Sequence, residues 1–478
     1  MAKLLANSTA GGKVIETVEG SQAKVDALSG IGNTATVKEA SDQIGVLQGV
    51  IDEHKAIIAT PATLGHVKAN TDAEGNLIIP ESSGLGGIPV DVTGINNGEG
   101  IVFDEDKAKF VPMSKLSPPK IYGVKIDTLN SNPATAVTYT DSAVGMTGGS
   151  ANWDSVFPFN RIRPVLLNNG VVTTELNKND FTKTNLNAVA DTTSGNAGDV
   201  MIEFPKLFWK FDTVGSDLFV RYSERQVDSS WKCHAHTRGE TEKNFAYIGA
   251  YLSFNSGGKL RSLSGKTPTA TQTIGVFRTQ AQANGLGYDQ MGYYQLLMLQ
   301  ILFLVRYKSR DSQTALGRGY VDGNASAIAT GNTNLKGMNF GETTGKQQMK
   351  FCGIEDFWGN LIYWVDGMFS NASRNILIGT QDFNNMGTGY INYGQGAPTN
   401  LNGFISGIQG GTETGFIVKA SAGSATTYFA DSGYLFASSL PYFGGDWSNA
   451  DNAGAFNLRV LDSAVAVAAN IGARLNAL

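Results

Sequence analysis

The chain has 478 residues, with 37 Lys and Arg against 42 Asp and Glu and a formal net charge of −5. That balance argues against nucleic acid as the main partner, since a phosphate-binding chain needs a positive field. Gly is abundant (58) and Pro scarce (13), with 24 Phe, 16 Tyr and 6 Trp, which indicates a loop-rich fold around an aromatic core and excludes Pro-rich disorder.

The first residues, Met1-Ala-Lys-Leu-Leu-Ala, lack the long apolar core of a signal peptide. Residues 1–35 are small, polar and Gly-rich. Thr36-Val-Lys-Glu39 then reads as a capping box, in which the Thr oxygen caps an orphan amide and Glu39 reaches back. Behind it Val37, Ala40, Ile44, Leu47, Ile51, His54 and Ile58 alternate at spacings of three and four, a heptad pattern broken at His54. The pattern predicts a short coiled coil in a homotrimer, although Gly45 and Gly49 each weaken the helix by about 1 kcal/mol. A single amphipathic helix packed on its own domain is the alternative. Residues 1–60 are thus expected to be an attachment segment and coiled coil.

Thr60-Pro61 ends that helix. Residues 61–117 alternate Gly, Asn and Asp turns with short apolar pieces such as Leu77-Ile-Ile-Pro80 and Gly100-Ile-Val-Phe103, which predicts a β-rich linker or shaft. Ser117-Pro-Pro119 marks its end, because two prolines exclude a helix.

From 118 to 478 the pattern is α+β. Ile121 to Ile126 alternates as a strand, Asp199 to Phe211 reads as one longer strand, and residues 277–308 carry the helical stretch. Within it Tyr293 to Val305 is the most apolar run of the chain. It contains Gln295 and Gln300 and is too short to span a bilayer, so it reads as a buried helix. After Gly317 the Gly and Asn content rises, which predicts long loops with short strands. The two cysteines, Cys233 and Cys352, exclude a disulfide framework, and two buried free thiols are favoured over a single bridge between them.

Several constellations could carry chemistry. His234-Ala-His236 beside Cys233 would place two imidazoles on one face if it lay in a strand. A metal site needs further ligands, and the other histidines, His54 and His66, are N-terminal, so structural roles are favoured. Glu355-Asp356 is a carboxylate pair, but strand neighbours point to opposite faces unless a bulge intervenes, so it does not suit a glycosidase. The structural reading has the turn Trp358-Gly-Asn360 fixed by side-chain hydrogen bonds, and Asp366 in a similar role. There is no Gly-x-Ser-x-Gly, no phosphate loop with Lys and no His-Glu-x-x-His. The expectation is a non-enzyme with no metal and no cofactor.

The end of the chain is the most informative part. Phe443-Gly-Gly-Asp-Trp447 opens a polar stretch, and Asn470-Ile-Gly-Ala-Arg474 closes it. Short polar side chains on a rigid frame are what a recognition surface needs. This Gly-Gly-x-Trp…Gly-x-Arg frame resembles the ligand-binding end of the retroelement-diversified major tropism determinant family, phage and prophage tail receptor-binding proteins with a C-type-lectin fold, related in fold to the formylglycine-generating enzymes. Asp199-Val-Met-Ile-Glu-Phe-Pro-Lys206, Tyr247-Ile-Gly-Ala-Tyr251 and Gly353-Ile-Glu-Asp-Phe-Trp-Gly-Asn360 resemble upstream blocks of the same family, so the likeness covers residues 118–478.

The resemblance implies a virion protein of the tail tip or fibre, assembled in the bacterial cytoplasm. Its partners would be a bacterial surface receptor and, through the N-terminus, baseplate or fibre proteins. Ligand contacts would come from Asp446, Ser448, Asn449, Asp451, Asn452, Phe456, Asn457 and Arg459. Of these, Asp446, Ser448, Asp451, Asn452, Asn457 and Arg459 are expected to be exposed. Gly444, Gly445, Trp447, Gly472 and Arg474 would be the buried frame. The oxidising cysteine pair of the formylglycine-generating enzymes has no counterpart in the frame, and the Glu-Pro-Asn or Gln-Pro-Asp loop of calcium-dependent lectins is missing. A tail-borne polysaccharide depolymerase and a purely structural baseplate or connector subunit are the alternatives.

Overall fold

The computed structural model describes residues 2–6, 13–17, 70–71, 77–78, 101–104, 107–112 and 117–478. The expected coiled-coil helix Val37 to Ile58, its capping box, His54 and His66 lie outside the described residues. The chain divides into two units, Met1–Pro118 and Pro119–Leu478.

In the first unit three antiparallel pairs are described. Ala2–Ala6 pairs with Lys13–Thr17, Asn70–Thr71 with Leu77–Ile78, and Ile101–Asp104 with Lys109–Pro112. Phe103 and Phe110 face each other across the last hairpin, ring centroids 5.5 Å apart and edge to face, the geometry aromatic rings favour.

The second unit is mostly β-sheet with few helices. Its four-stranded sheet runs Phe208–Val214, Asp217–Ser223, Ile121–Asp127, Val137–Asp141, antiparallel throughout. A seven-stranded sheet runs Asp180–Thr184, Val171–Asn177, Arg163–Asn168, Asp199–Pro205, Phe245–Gly249, Leu475–Ala477, Tyr288–Gln290. A six-stranded sheet runs Leu401–Phe404, Ser432–Leu435, Leu458–Asp462, Leu440–Phe443, Ile362–Trp364, Ile471–Gly472. As expected, most strands after Gly317 are only two to five residues long.

The stretch from Asp199 to Phe211 is not one strand, contrary to the sequence expectation. It breaks after Pro205, and Phe208–Val214 joins a different sheet. The chain leaves the first sheet where Pro205 supplies no amide to continue a ladder. All seven residues of Asp199–Pro205 are buried, which explains its nearly continuous apolar run.

The helical stretch is likewise two helices. Helix α1 (Ile274–Gln282) is capped by Thr273, whose hydroxyl accepts from the Val276 amide. Helix α2 (Tyr293–Tyr307) follows the strand Tyr288–Gln290, and all 15 of its residues are buried. Its two mid-chain amides are satisfied across the core: Gln295 Nε2 donates to the Ala235 carbonyl at 2.7 Å and Gln300 Nε2 to the Ala455 carbonyl at 3.0 Å. A single turn, α3 (Ser312–Ala315), comes after it. Among the described residues no helix is long and apolar enough to cross a membrane. Cys233 and Cys352 are buried free thiols, and burial pushes their pKa values up to about 11 and about 12.

The last residues close the fold. Ile471–Gly472 runs parallel to Ile362–Trp364 at the edge of the six-stranded sheet. Leu475–Ala477 then inserts between Phe245–Gly249 and Tyr288–Gln290 in the seven-stranded one. The described end of the chain therefore ties two sheets together.

Candidate functional site

The segment 443–474 starts from the strand Leu440–Phe443, which pairs with both Ile362–Trp364 and Leu458–Asp462. Gly444 (φ 102°) and Gly445 (φ 81°) follow in the left-handed region. A Cβ on Gly445 would lie 2.6 Å from Ala453 Cβ, and one on Gly444 would lie 3.2 Å from the Phe357 carbonyl oxygen. Both positions therefore need glycine for conformation and for space. Gly472 is set by close packing alone, with Leu361 Cδ1 3.0 Å from where a Cβ would stand.

Arg474 is fully buried. Its guanidinium donates to the Gly249 carbonyl (2.9 Å) and to those of Glu355 (2.9 Å) and Asp356 (2.7 Å), and sits 4.9 Å from the centre of the Tyr363 ring. The expected buried acceptors are backbone carbonyls. Trp447 departs from expectation: it is only half-buried, packed against the edge of the core. Its backbone is fixed nonetheless, since its amide donates to the Asn360 carbonyl and its own carbonyl accepts from the Asn324 amide, both at 3.1 Å.

Three residues expected to contact ligand belong to the frame. Asp446 is buried and accepts from the Ser448 amide (2.8 Å), the Ser448 hydroxyl (2.7 Å) and Asn470 Nδ2 (2.7 Å). A short carboxylate after a tight turn reaches the amide two residues on, and here it also ties the opening of the segment to its close. Asn457 is buried because its Nδ2 donates to the Ser432 carbonyl and hydroxyl and to the Asn452 carbonyl. Phe456 is buried among Phe416, Phe429 and Phe303, at centroid distances of 5.0, 5.1 and 6.1 Å.

The remaining five form the outer rim. Ser448 and Asp451 are exposed, whereas Asn452 and Arg459, expected to be exposed, are half-buried under their neighbours, as is Asn449. Ala450–Asn452 is one 3-10 turn. Arg459 spans the rim, donating to Asn449 Oδ1 and to Asn457 Oδ1 and lying 5.2 Å over the Tyr434 ring. Asp451 pairs with Arg318 at 2.8 Å, and Arg318 also grips Asp322 through two contacts. Gln313 of α3 supports the turn from below, donating to the Ala450 and Ala453 carbonyls at 2.8 Å each. Arg318, Asp322, Gln313 and Tyr434 were invisible to sequence reasoning, because they reach the segment through folding and no local spacing marks them.

Other candidates resolve as structure. His234–His236 is a 3-10 turn and not a strand. Its rings therefore do not share a face, since a 3-10 helix turns about 120° per residue. His236 is buried against the Phe204 carbonyl, and the His234 ring lies tilted against that of Tyr294, centroids 4.5 Å apart. Burial lowers both pKa values to about 4. Among the described residues no group of three His, Cys, Asp or Glu could hold a metal ion.

Glu355 and Asp356 do converge, because Asp356 turns at φ 51° directly after the strand, and Gln348 Nε2 touches both carboxylates at 3.2 and 2.6 Å. Both are buried. Glu355 is saturated by the Gly331 and Thr333 amides and the Thr333 hydroxyl, an arrangement that holds a loop. Asn360 fixes the following turn as expected, bonding Asp356 and both backbone groups of Ile328. Asp366 takes Arg278 in a two-point ion pair at 2.6 and 2.9 Å.

No family model matches the chain, and no curated protein matches it. Among solved structures, one described as "Major Tropism Determinant P3c Variant" aligns at 11% identity, covering 57% of this chain and 72% of that one, with a TM-score of 0.23. A superposition at that score does not establish a shared fold.

Proposed function

We propose that this chain is a phage or phage-derived tail receptor-binding protein, in which a C-type-lectin-like fold presents the segment 443–474 to a bacterial surface ligand. The observation that carries the reading is the division of labour within that segment. Buried Asp446, Asn457, Phe456 and Arg474 hold the backbone, while Ser448, Asn449, Asp451, Asn452 and Arg459 occupy its outer side. A surface fixed in advance loses little freedom on binding, which favours affinity. The Gly-Gly-x-Trp…Gly-x-Arg resemblance points to the same segment. Trimerisation through Val37 to Ile58 would place three such sites on one particle, and avidity would raise weak single-site binding by orders of magnitude. The reading requires no catalysis.

The test is a quadruple substitution, Ser448→Ala, Asp451→Ala, Asn452→Ala and Arg459→Ala, assayed for adsorption to a bacterial strain that the parent chain binds. Lost adsorption with the protein still folded supports the proposal. Retained adsorption places the binding surface elsewhere.

A further inference from the structure

Away from the terminal segment, Arg310 presents an unresolved charge. It is 1% exposed, yet among the described residues it joins no ion pair. Its Nη2 donates to the carbonyls of Asn130 and Asn132, its Nε has no partner, and the rings of Tyr428 and Phe429 lie 5.8 and 5.4 Å from the guanidinium. Taking a guanidinium out of water is costly, and carbonyl and ring contacts replace an anion only in part. Asp127 exerts a field on Arg310 but does not bond it, and burial lowers the Arg310 pKa only to about 10, so the group is charged at neutral pH.

Arg310 lines a cavity of about 230 Å³. The other walls are the tip of the hairpin between Phe208–Val214 and Asp217–Ser223, the stretch 406–410, Thr128 and Lys419, with Ile126, Leu218 and Phe429 as an apolar flank. Lys419 is exposed and likewise joins no ion pair among the described residues. Ser406 accepts the Ala422 amide with its hydroxyl oxygen, which leaves the hydroxyl proton available to a ligand. Thr213 and Ser216 add two more hydroxyls, and among the described residues no Asp or Glu lines the space. Two cations without a carboxylate partner among the described residues, with three hydroxyls beside them around one small hollow, are the complement of an oxyanion. A guanidinium meets a carboxylate or phosphate through parallel hydrogen bonds, and a lysine adds a point charge. The volume lies below the roughly 300–1,000 Å³ of sites for drug-sized molecules, so the occupant is no larger than a single sugar.

We propose that this cavity is an anion site that takes one carboxylate or phosphate group of a small ligand, with Arg310 at its wall and Lys419 supplying the second cation. The group could be free inorganic phosphate or the acid of an acidic sugar. The site is independent of the terminal segment, so its test stands apart from the receptor-binding proposal.

The full chain is titrated by calorimetry, at constant ionic strength set with chloride, with inorganic phosphate, glucuronate and glucose as probes. The expected result is saturable binding of phosphate or glucuronate and none of glucose. Tighter binding of glucuronate identifies an acidic sugar as the source, and tighter binding of phosphate identifies the inorganic ion. Lys419→Gln, a change at an exposed side chain with no structural bonds, should weaken that binding several-fold. Arg310→Gln should abolish it if the variant folds, and Lys419→Gln decides the matter if it does not. No saturable binding of either anion, or binding that Lys419→Gln leaves unchanged, overturns the proposal.

Discussion

Gln300, at the centre of the buried helix α2, donates its side-chain amide to the carbonyl of Ala455 at 3.0 Å. One polar residue in the most apolar run of the chain thus holds the underside of the terminal segment. Gln300→Leu keeps the volume and removes the donor. It should destabilise the protein by about 1–3 kcal/mol, the cost of an unsatisfied buried carbonyl. Denaturant unfolding measures this, and amide exchange should show the loosening concentrated at 455–457. A variant as stable as the parent would mean that Ala455 finds another donor.

The frame and the rim should separate cleanly in a stability scan. Asn452→Ala, for its side chain, should stay within about 0.5 kcal/mol, as surface changes do, and Ser448→Ala, which removes one of the three donors to buried Asp446, should cost about 0.5–1.5 kcal/mol. Asp451→Ala loses only a partly exposed ion pair with Arg318, a contact worth about 0–1 kcal/mol. Asn457→Ala strands the Ser432 and Asn452 carbonyls and should cost about 1–3 kcal/mol. Gly445→Ala must hold φ at 81° and displace Ala453, and should cost at least as much. Thermal midpoints in one buffer give the ordering. Equal losses at Asn452 and Asn457 would contradict it.

Much of the frame was legible in the sequence because its cues are local. Two consecutive glycines announce a turn that tolerates no side chain, and the apolar run from Tyr293 announces a buried helix. Exposure was not legible at Asp446 and Asn457. A polar residue type suggests solvent, but Asp446 is buried by a bond to its own neighbour Ser448 and by Asn470, and Asn457 by Ser432, 25 residues upstream. The partners that shape the rim, Arg318 and Gln313, lie more than 130 residues from their contacts. The break at Pro205 was local and readable in principle, yet the apolar periodicity on either side concealed a change of sheet.

His236 gives a pH signature. Burial, aided by Lys206, holds its folded pKa at about 4 against an ordinary 6.5. Between those values the unfolded chain binds a proton that the folded chain refuses, so stability rises with pH there and falls as pH drops from 6.5 toward 4. The linkage is on the order of 3 kcal/mol for this buried ring. Asp431 and Asp356, whose pKa values burial raises, act in the opposite sense, so the difference between two chains is the useful quantity. His236→Gln should flatten the dependence of unfolding free energy on pH across 4–6.5 relative to the parent. Parallel curves would show that the imidazole is not held neutral.

Arg474 makes the strongest demand on side-chain identity. Its carbonyl acceptors belong to Gly249, on a strand paired with Leu475–Ala477, and to Glu355 and Asp356, at the turn beside the Gly-Gly opening. One guanidinium therefore joins the closing strand, its neighbour in the sheet and the turn under the terminal segment. Arg474→Ala removes the donors and leaves three buried carbonyls facing a void. Each unsatisfied carbonyl costs about 1–3 kcal/mol, and marginal stability of about 5–15 kcal/mol leaves little margin for several at once. The alanine variant should fail to fold or lose most of its stability. Arg474→Lys keeps the charge but replaces a rigid planar fork with a compact ammonium that cannot span both groups of acceptors in the same geometry. It should fold and lose an intermediate amount, and any loss of adsorption should track its midpoint. Soluble expression and thermal unfolding of the two variants decide this. An alanine variant within about 0.5 kcal/mol of the parent would show that the closing strand and the Glu355–Asp356 turn are held together without Arg474.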